Sequence, residues 1–415
     1  MVTLGSLIIE EPCYGTSATA ISRTSEKQPK YIRITDFDDY GIEEKHEFMT
    51  VNSYSEKHLL KPNDILFART GGTVGKTYFY DGTIGEAVFA GYCIRFKFDE
   101  NKVNPQYVYW YTKTDIYQKW VRGIQRPSGQ PNINKEEYKA FRIALPEKKA
   151  QDNMCNFMNN AFKRCNEKLK QAEELLNGMS IFILSMLNLS LSDFKQRLCV
   201  SVRLHEILND GTFSAEYHHP ERMMAIHALR TQKKLKMMKL VDIVEFCREI
   251  VNSVDSQAKY LGLAGVESQT GELSGIDEDA GGQAFIYQAG DALYGRLRPY
   301  LNKVVLAEQS GICSTEFHVM RIKNTSDVLP EYLSAIMRSD LIVAQTKHMM
   351  TGNTHPRISN DDVKNLYIPV PELSVQQAII SELGHRREKA RTLKREAEQD
   401  WKAAKVQFEK KLLEY

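Results

Sequence analysis

The stretch Thr70–Thr77, TGGTVGKT, nearly spells a phosphate-binding loop. Such a loop wraps phosphates in backbone N–H groups, reaches them with a lysine and opens into a helix N-terminus. Thr70 stands where the pattern needs its first glycine, and the YFY that follows reads as a strand. Nucleotide cradling is therefore rejected in favour of a glycine-rich β-turn. His218 and His219 form the one adjacent imidazole pair. With no acidic or cysteine partner at ligand spacing, they read as exposed helix-start residues and no metal is expected. No Ser/His/Asp set and no nuclease-like carboxylate cluster stands out.

What must position such groups is written twice. Around Asp64 the chain reads PNDILFARTGGTVGK, and around Asp291 it reads AGDALYGRLRPYLNK. Asp64 matches Asp291, Arg69 matches Arg296 and Lys76 matches Lys303, an offset of 227 (291 − 64). NPQYVYW from Asn104 matches LPEYLSA from Leu329, and QPNINKEEYKAFRIALP from Gln130 matches HPRISNDDVKNLYIPVP from His355. Both have an offset of 225 (329 − 104 and 355 − 130). TLGSLI near Leu4 also matches KLVDIV near Leu240. Internal repetition on this scale defines units. The chain reads as a first globular unit over 1–147, a helix over 148–196, a connecting helical segment over 197–237, a second unit over 238–372 and a second helix over 373–415.

Each unit holds short runs rich in β-branched and aromatic residues: DILFA, KTYFY, CIRFKF and FRIAL, then DALYG, KVVLA, FHVMRI and LYIPV. Bounded by Gly, Asn, Asp and Pro, they read as strands. NPQY and LPEY put proline in a first helical turn, so the fold class is α+β with strand-rich units. NPQY is also one residue from the NPPY motif of adenine methyltransferases. No glycine-rich S-adenosylmethionine loop accompanies it, and LPEY fills the same slot without the Asn, so it is read as a helix start. The charged runs differ. Met158, Ala161, Cys165, Ala172, Leu175, Met179, Phe182 and Met186 follow a three-and-four spacing broken by Lys168. Ile379, Leu383, Ala390, Leu393, Ala397, Trp401, Ala404 and Phe408 do the same around Arg386. Such seams pair helices in a coiled coil.

Composition bounds the rest. Across 415 residues, 42% are hydrophobic and 26% charged, and the net charge is +2. A pI near 8.0 is too balanced to argue for nucleic acid by itself, so any basic surface must be local. Seven scattered cysteines without a CxxC pair fit a reducing cytoplasm. No signal peptide and no membrane span are read.

Local basic surface is present. Lys119–Lys135, KWVRGIQRPSGQPNINK, carries the cations Lys119, Arg122, Arg126 and Lys135 among the amides Gln125, Gln130, Asn132 and Asn134. Cations neutralise phosphates, amides can bond adenine edges and Arg can bond guanine. The second copy offers Lys347, His348, Asn353, Thr354, His355, Arg357, Ser359 and Asn360. Alternatively, both are polar loops whose residues cap the next helix, since NKEE and SNDD resemble capping sequences. With Arg69, Thr70 and Lys76 of the glycine turn, and Arg296, Arg298 and Lys303 of its twin, these are the candidate DNA-binding residues. The turn itself could lie against a DNA backbone.

The duplicated D-I-L-F-A-R…G-T-V-G-K and Q-P-N-I-N…I-A-L-P elements, each followed by a heptad helix, resemble specificity subunits of Type I restriction-modification systems. The resemblance covers nearly the whole chain. It implies two target recognition domains, each reading half of an interrupted site in double-stranded DNA, with no catalysis by this chain. It also implies two helices that pair as an antiparallel coiled coil, set the spacing and hold two modification subunits. Those subunits would bind S-adenosylmethionine and methylate adenine, this chain carrying no cofactor. A restriction subunit can join them, in the cytoplasm of a bacterium or archaeon, in defence against phage. A recognition subunit of a Type II bipartite enzyme would look the same, and an autonomous adenine methyltransferase is the alternative of another class. Two departures are noted: the second copy lacks the turn glycines, and 197–237 has no counterpart before Val2.

Overall fold

The computed structural model describes residues 1–38, 41, 47–125, 131–191, 201–252, 260–274, 282–324, 327–352 and 354–415. The chain forms two compact units, Met1–Lys170 with Leu393–Tyr415, and Gln171–Thr392. Among the described residues, no helix is long and apolar enough to cross a membrane.

In the first unit the apolar runs become strands β1 (Cys13–Tyr14), β2 (Asp64–Ala68), β3 (Thr77–Tyr80) and β4 (Cys93–Phe96). They form an antiparallel sheet in the order β1-β4-β2-β3, with Leu66 opposite both Tyr78 and Arg95. All of β2 is buried, which is why DILFA is a continuous apolar run rather than an alternating one. The FRIAL run contributes only Arg142–Ile143, paired with Val2–Thr3.

Three short helices follow, each capped by the residue its sequence offers. In α1 (Pro105–Thr112), Asn104 accepts the N–H of Gln106. In α2 (Asp115–Ile124), Thr114 accepts that of Tyr117. In α3 (Lys135–Ala140), Asn134 and Glu137 form a reciprocal capping box. The start of α1 is also held from afar. The buried Gln151 accepts the Asn104 N–H at 2.8 Å and donates to the Pro146 carbonyl at 2.8 Å. Gln151 belongs to the first long helix, Lys148–Met186. In this unit Met158, Ala161 and Cys165 of that helix are buried together with Ala397, Trp401, Ala404 and Phe408 of the second long helix, Leu373–Leu412. Trp110, Phe162 and Trp401 form an aromatic cluster with centroids 5.5–5.7 Å apart. Lys168, the break in the seam, reaches Glu396 and Asp400 at 2.9 Å each.

The second unit repeats the plan. Strands β5 (Val244–Cys247), β6 (Ala292–Gly295), β7 (Val304–Leu306) and β8 (Phe317–Ile322) are ordered β5-β8-β6-β7. Helix α4 (Pro220–Thr231) lies in the connecting segment, and α5 (Pro330–Met337), α6 (Asp340–Thr346) and α7 (Asn360–Lys364) follow the sheet. Buried Gln376 repeats the hook, accepting the Leu329 N–H at 2.9 Å and donating to the Asp327 and Pro371 carbonyls. Tyr107 and Tyr332 repeat a second tether, their hydroxyls donating to the Ala144 and Pro369 carbonyls at 2.7 and 2.8 Å. Here Met179 and Ile183 of the first long helix are buried with Ile379 and Leu383 of the second. Arg386 donates to the Gly178 carbonyl and lies 4.6 Å from the Phe182 ring centre.

Candidate nucleic-acid interface

In the first unit, β2 runs directly into the polar loops singled out by sequence. The Arg69 carbonyl accepts the Ile133 N–H at 2.8 Å, Gly71 donates to the Pro131 carbonyl at 3.1 Å, and Thr70 bridges Asn132. The glycine turn and the amide loop are thereby held side by side. Arg69 Nε donates to Asn132 Oδ1 at 3.4 Å, and its guanidinium lies 4.7 Å from the Tyr14 ring centre. Gly71 and Gly75 adopt positive φ of 74° and 86°. Gly75 is also a close approach, since a Cβ there would sit 2.6 Å from a Val121 methyl group. The turn thus packs against α2, whose Tyr117 and Val121 are buried while Lys119 and Arg122 are exposed. Residues three apart share a helix face, so these two cations form one outward stripe. Lys76 is half-buried just beyond the turn, and the strand that follows it removes the phosphate-loop reading, as expected.

Two further candidates are engaged otherwise. Asn134 Oδ1 accepts from the N–H groups of Glu136 and Glu137, so its carbonyl serves the helix, the alternative held open for these amides. Lys135 lies 3.9 Å from Glu11. Arg126 and Gln130 lie outside the described residues.

The second unit reproduces this joint residue for residue. The Arg296 carbonyl accepts the Ile358 N–H at 3.0 Å, Arg298 donates to the Pro356 carbonyl at 2.8 Å, and Leu297 bridges Arg357. The missing glycines do not change the turn. Arg298 and Asn302, at the repeat positions of Gly71 and Gly75 (71 + 227 and 75 + 227), adopt φ of 48° and 51°. That is the left-handed region glycine favours. The buried Asn302 is held there by its amide, which donates to the Arg338 carbonyl at 2.6 Å.

Several cations of this copy are restrained by partners the sequence reading missed. Arg357 grips Glu316 through three hydrogen bonds of 2.7–3.0 Å, and this pairing holds the Glu316 carboxyl below its usual range. Lys303 donates to the Leu263 carbonyl at 2.7 Å. Lys347, at the repeat position of Arg122 (122 + 225), lies 3.4 Å from Glu221. Arg298, Thr354 and His355 are exposed, and Asn353 lies outside the described residues. Arg296 is half-buried, its Nε enclosed without a hydrogen-bond partner. It lines a cleft with Phe246, Phe285 and His318. Burial first, and the Arg296 charge next, push the His318 imidazole down to about 4.

The histidine pair differs from expectation. His218 is buried, its ring against the Thr212 carbonyl at 2.9 Å. His219 has partners after all: the fold brings Glu221 and His348 to it, with one ligand atom of each residue within 4.8 Å of the others. His348 was out of reach of a spacing argument because it stands 129 positions away (348 − 219).

Fold and site define a tandem protein in which one α+β module presents the same turn-and-loop joint twice. The chain matches the family model for the Type I restriction modification DNA specificity domain at residues 22–177 and 232–392, and it belongs to that family. It is 19% identical over 283 residues to the Type I restriction enzyme EcoDI specificity subunit of Escherichia coli, a match covering 67% of this chain and 62% of that relative. Among solved structures, it is similar to the HsdS subunit from Thermoanaerobacter tengcongensis, at 12% identity and a TM-score of 0.36, covering 99% of this chain and 94% of that one. It is also similar to the Type-I restriction-modification system S subunit from M. genitalium, at 13% identity and a TM-score of 0.45 with the same coverage.

Proposed function

We propose that this chain is the DNA-recognition subunit of a Type I restriction-modification complex, each unit reading one half of a bipartite site. The observation that carries this reading is the twinned joint, in which Arg69 and Arg296 pair their carbonyls with Ile133 and Ile358. One module built twice, each time with cations and amides at one loop pair, suits a target with two separate halves. In the first unit Arg69, Thr70, Lys76, Lys119, Arg122 and Asn132 form the DNA-facing set. In the second the set is Arg296, Arg298, Thr354 and His355, with Arg357 held beside them by Glu316.

The long helices pair in an antiparallel coiled coil in this reading. It is supported within the first unit by Cys165 against Ala397 and Phe162 against Trp401, and within the second by Gly178 against Arg386. The partners are double-stranded DNA and two modification subunits that bind S-adenosylmethionine and methylate adenine, all in the cytoplasm, and a restriction subunit can join them. The chain itself does no chemistry. The test replaces residues 1–147 with the matching unit of a relative and sequences the methylome of a host carrying the complex. One half of the methylated motif changes and the other stays. An active complex in which both halves change, or neither, overturns the modular reading.

A further inference from the structure

His219 caps the N-terminus of α4, Glu221 lies in its first turn, and His348 lies just beyond α6. The three side chains meet where α4, part of the connecting segment without a counterpart in the first copy, packs on α6. His348 Nε2 lies 2.7 Å from Glu221 Oε2, and the His219 and His348 rings stack with centroids 3.4 Å apart. All three are half-buried, with exposures of 23% for Glu221 and 25% for His348. They are screened from bulk water yet open to an entering ion.

We propose that His219, Glu221 and His348 bind a divalent transition-metal ion of the zinc class, which fastens the connecting helix to the second unit. Two imidazoles and one carboxylate form a donor set that zinc, cobalt and nickel favour over calcium or magnesium. In a tetrahedral site with ligand bonds near 2.1 Å, ligand atoms stand about 3.4 Å apart. The present ligand atoms all lie within 4.8 Å of one another, the His348–Glu221 pair at 2.7 Å, so small side-chain shifts reach that spacing. Parallel rings do not aim two in-plane lone pairs at one point. One imidazole therefore turns about its Cβ–Cγ bond, a broad torsion, and leaves the stack. Ligation also displaces the Lys347 ammonium, 3.4 Å from Glu221. Three protein ligands leave the fourth position to water.

The test uses the full chain, free of any polyhistidine tag and stripped with chelator. Titration with zinc followed by calorimetry, and with cobalt followed by its visible absorption, is expected to show one ion per chain. Glu221→Gln and His348→Ala each weaken binding at least tenfold while leaving the metal-free circular dichroism spectrum unchanged. Lys347→Ala, which removes the competing cation, binds as tightly or more tightly. Zinc also slows amide exchange in Pro220–Thr231, and only where both histidines are present. A wild-type chain that takes up no stoichiometric ion overturns the proposal. So does binding that survives in the His219→Ala/His348→Ala double variant, which would place the ion elsewhere.

Discussion

Asp64 and Asp291 occupy the same position of the repeat and the same local role, each accepting a backbone N–H at the turn before the central strand. Their charge environments differ. Asp291 receives two guanidinium hydrogen bonds of 2.8 Å from Arg321. The strand register puts Lys97 at the position of Arg321, and Lys97 pairs with Glu10 at 2.9 Å. The neighbouring Arg95 turns toward Glu10 and the Leu59 carbonyl, leaving its Nε 3.9 Å from Asp64. Burial then dominates and pushes the Asp64 carboxyl up to about 6 from 3.8. A folded-state pKa above the unfolded value means that stability is fully present below about pH 4 and is lost as pH rises through 6. Asp64→Asn is therefore expected to stabilise the protein at pH 7 by about 1–3 kcal/mol, and to do nothing at pH 3.5. Asp291→Asn, which breaks a buried pair, is expected to destabilise it by about 2–4 kcal/mol at pH 7. Urea midpoints at the two pH values read both. The sequence aligned these two residues correctly and set Lys97 against Arg321, but which carboxylate each cation meets, Glu10 or Asp291, is decided by packing. The same limit hid Glu316 behind Arg357. Ion-pair partners brought together by strand order leave no spacing to read.

At the level of elements, pattern and chemistry agreed. DILFA, KTYFY, CIRFKF and FHVMRI became strands, and both proline-marked segments became helices. Most of the seam positions are buried, Met158, Ala161, Cys165, Ala172 and Met179 in the first long helix and Ile379, Leu383, Ala390, Ala397, Trp401, Ala404 and Phe408 in the second. Leu175, Phe182, Met186 and Leu393 are half-buried. What went unread was how the short helices are anchored to the long ones. Gln151 and Gln376 stand at the same offset of 225 (376 − 151) as the segments they hold, yet a single glutamine in a charged run gives no sign of burial. Gln376→Ala leaves the Leu329 N–H without its acceptor and removes two further bonds, so a loss of about 2–4 kcal/mol is expected. Gln151→Ala, with two bonds to lose, is expected to cost slightly less. Chemical denaturation followed by tryptophan fluorescence distinguishes them, because Trp110, Trp120 and Trp401 all belong to the first unit and report mainly on Gln151→Ala.

For the whole molecule, the repeat located two copies but did not show where each core is completed. A heptad seam records that a face is buried without naming what buries it. The first unit closes only with residues 393–415, which supply Ala397, Trp401, Ala404, Phe408 and Leu412 to its core. Burying one large aromatic side chain is worth about 3–5 kcal/mol against alanine, comparable to a good part of a domain's total stability. A chain ending at Thr392 is therefore expected to lose the near-ultraviolet circular dichroism of Trp110 and Trp120. The same spectrum retained in the shortened chain would show that the first unit stands without this segment.

The shared core also fixes an order of events during synthesis. Domains ordinarily fold from the N-terminus onward as the ribosome extends the chain, but here the unit made first cannot finish first. Its sheet and short helices emerge early, with the apolar surface around Trp110 and Phe162 still uncovered. The whole second unit is then translated before Trp401 and Phe408 arrive to cover it. The earliest-made half therefore spends the longest time exposed to chaperones and proteases, and a frameshift late in the reading frame damages the beginning of the protein.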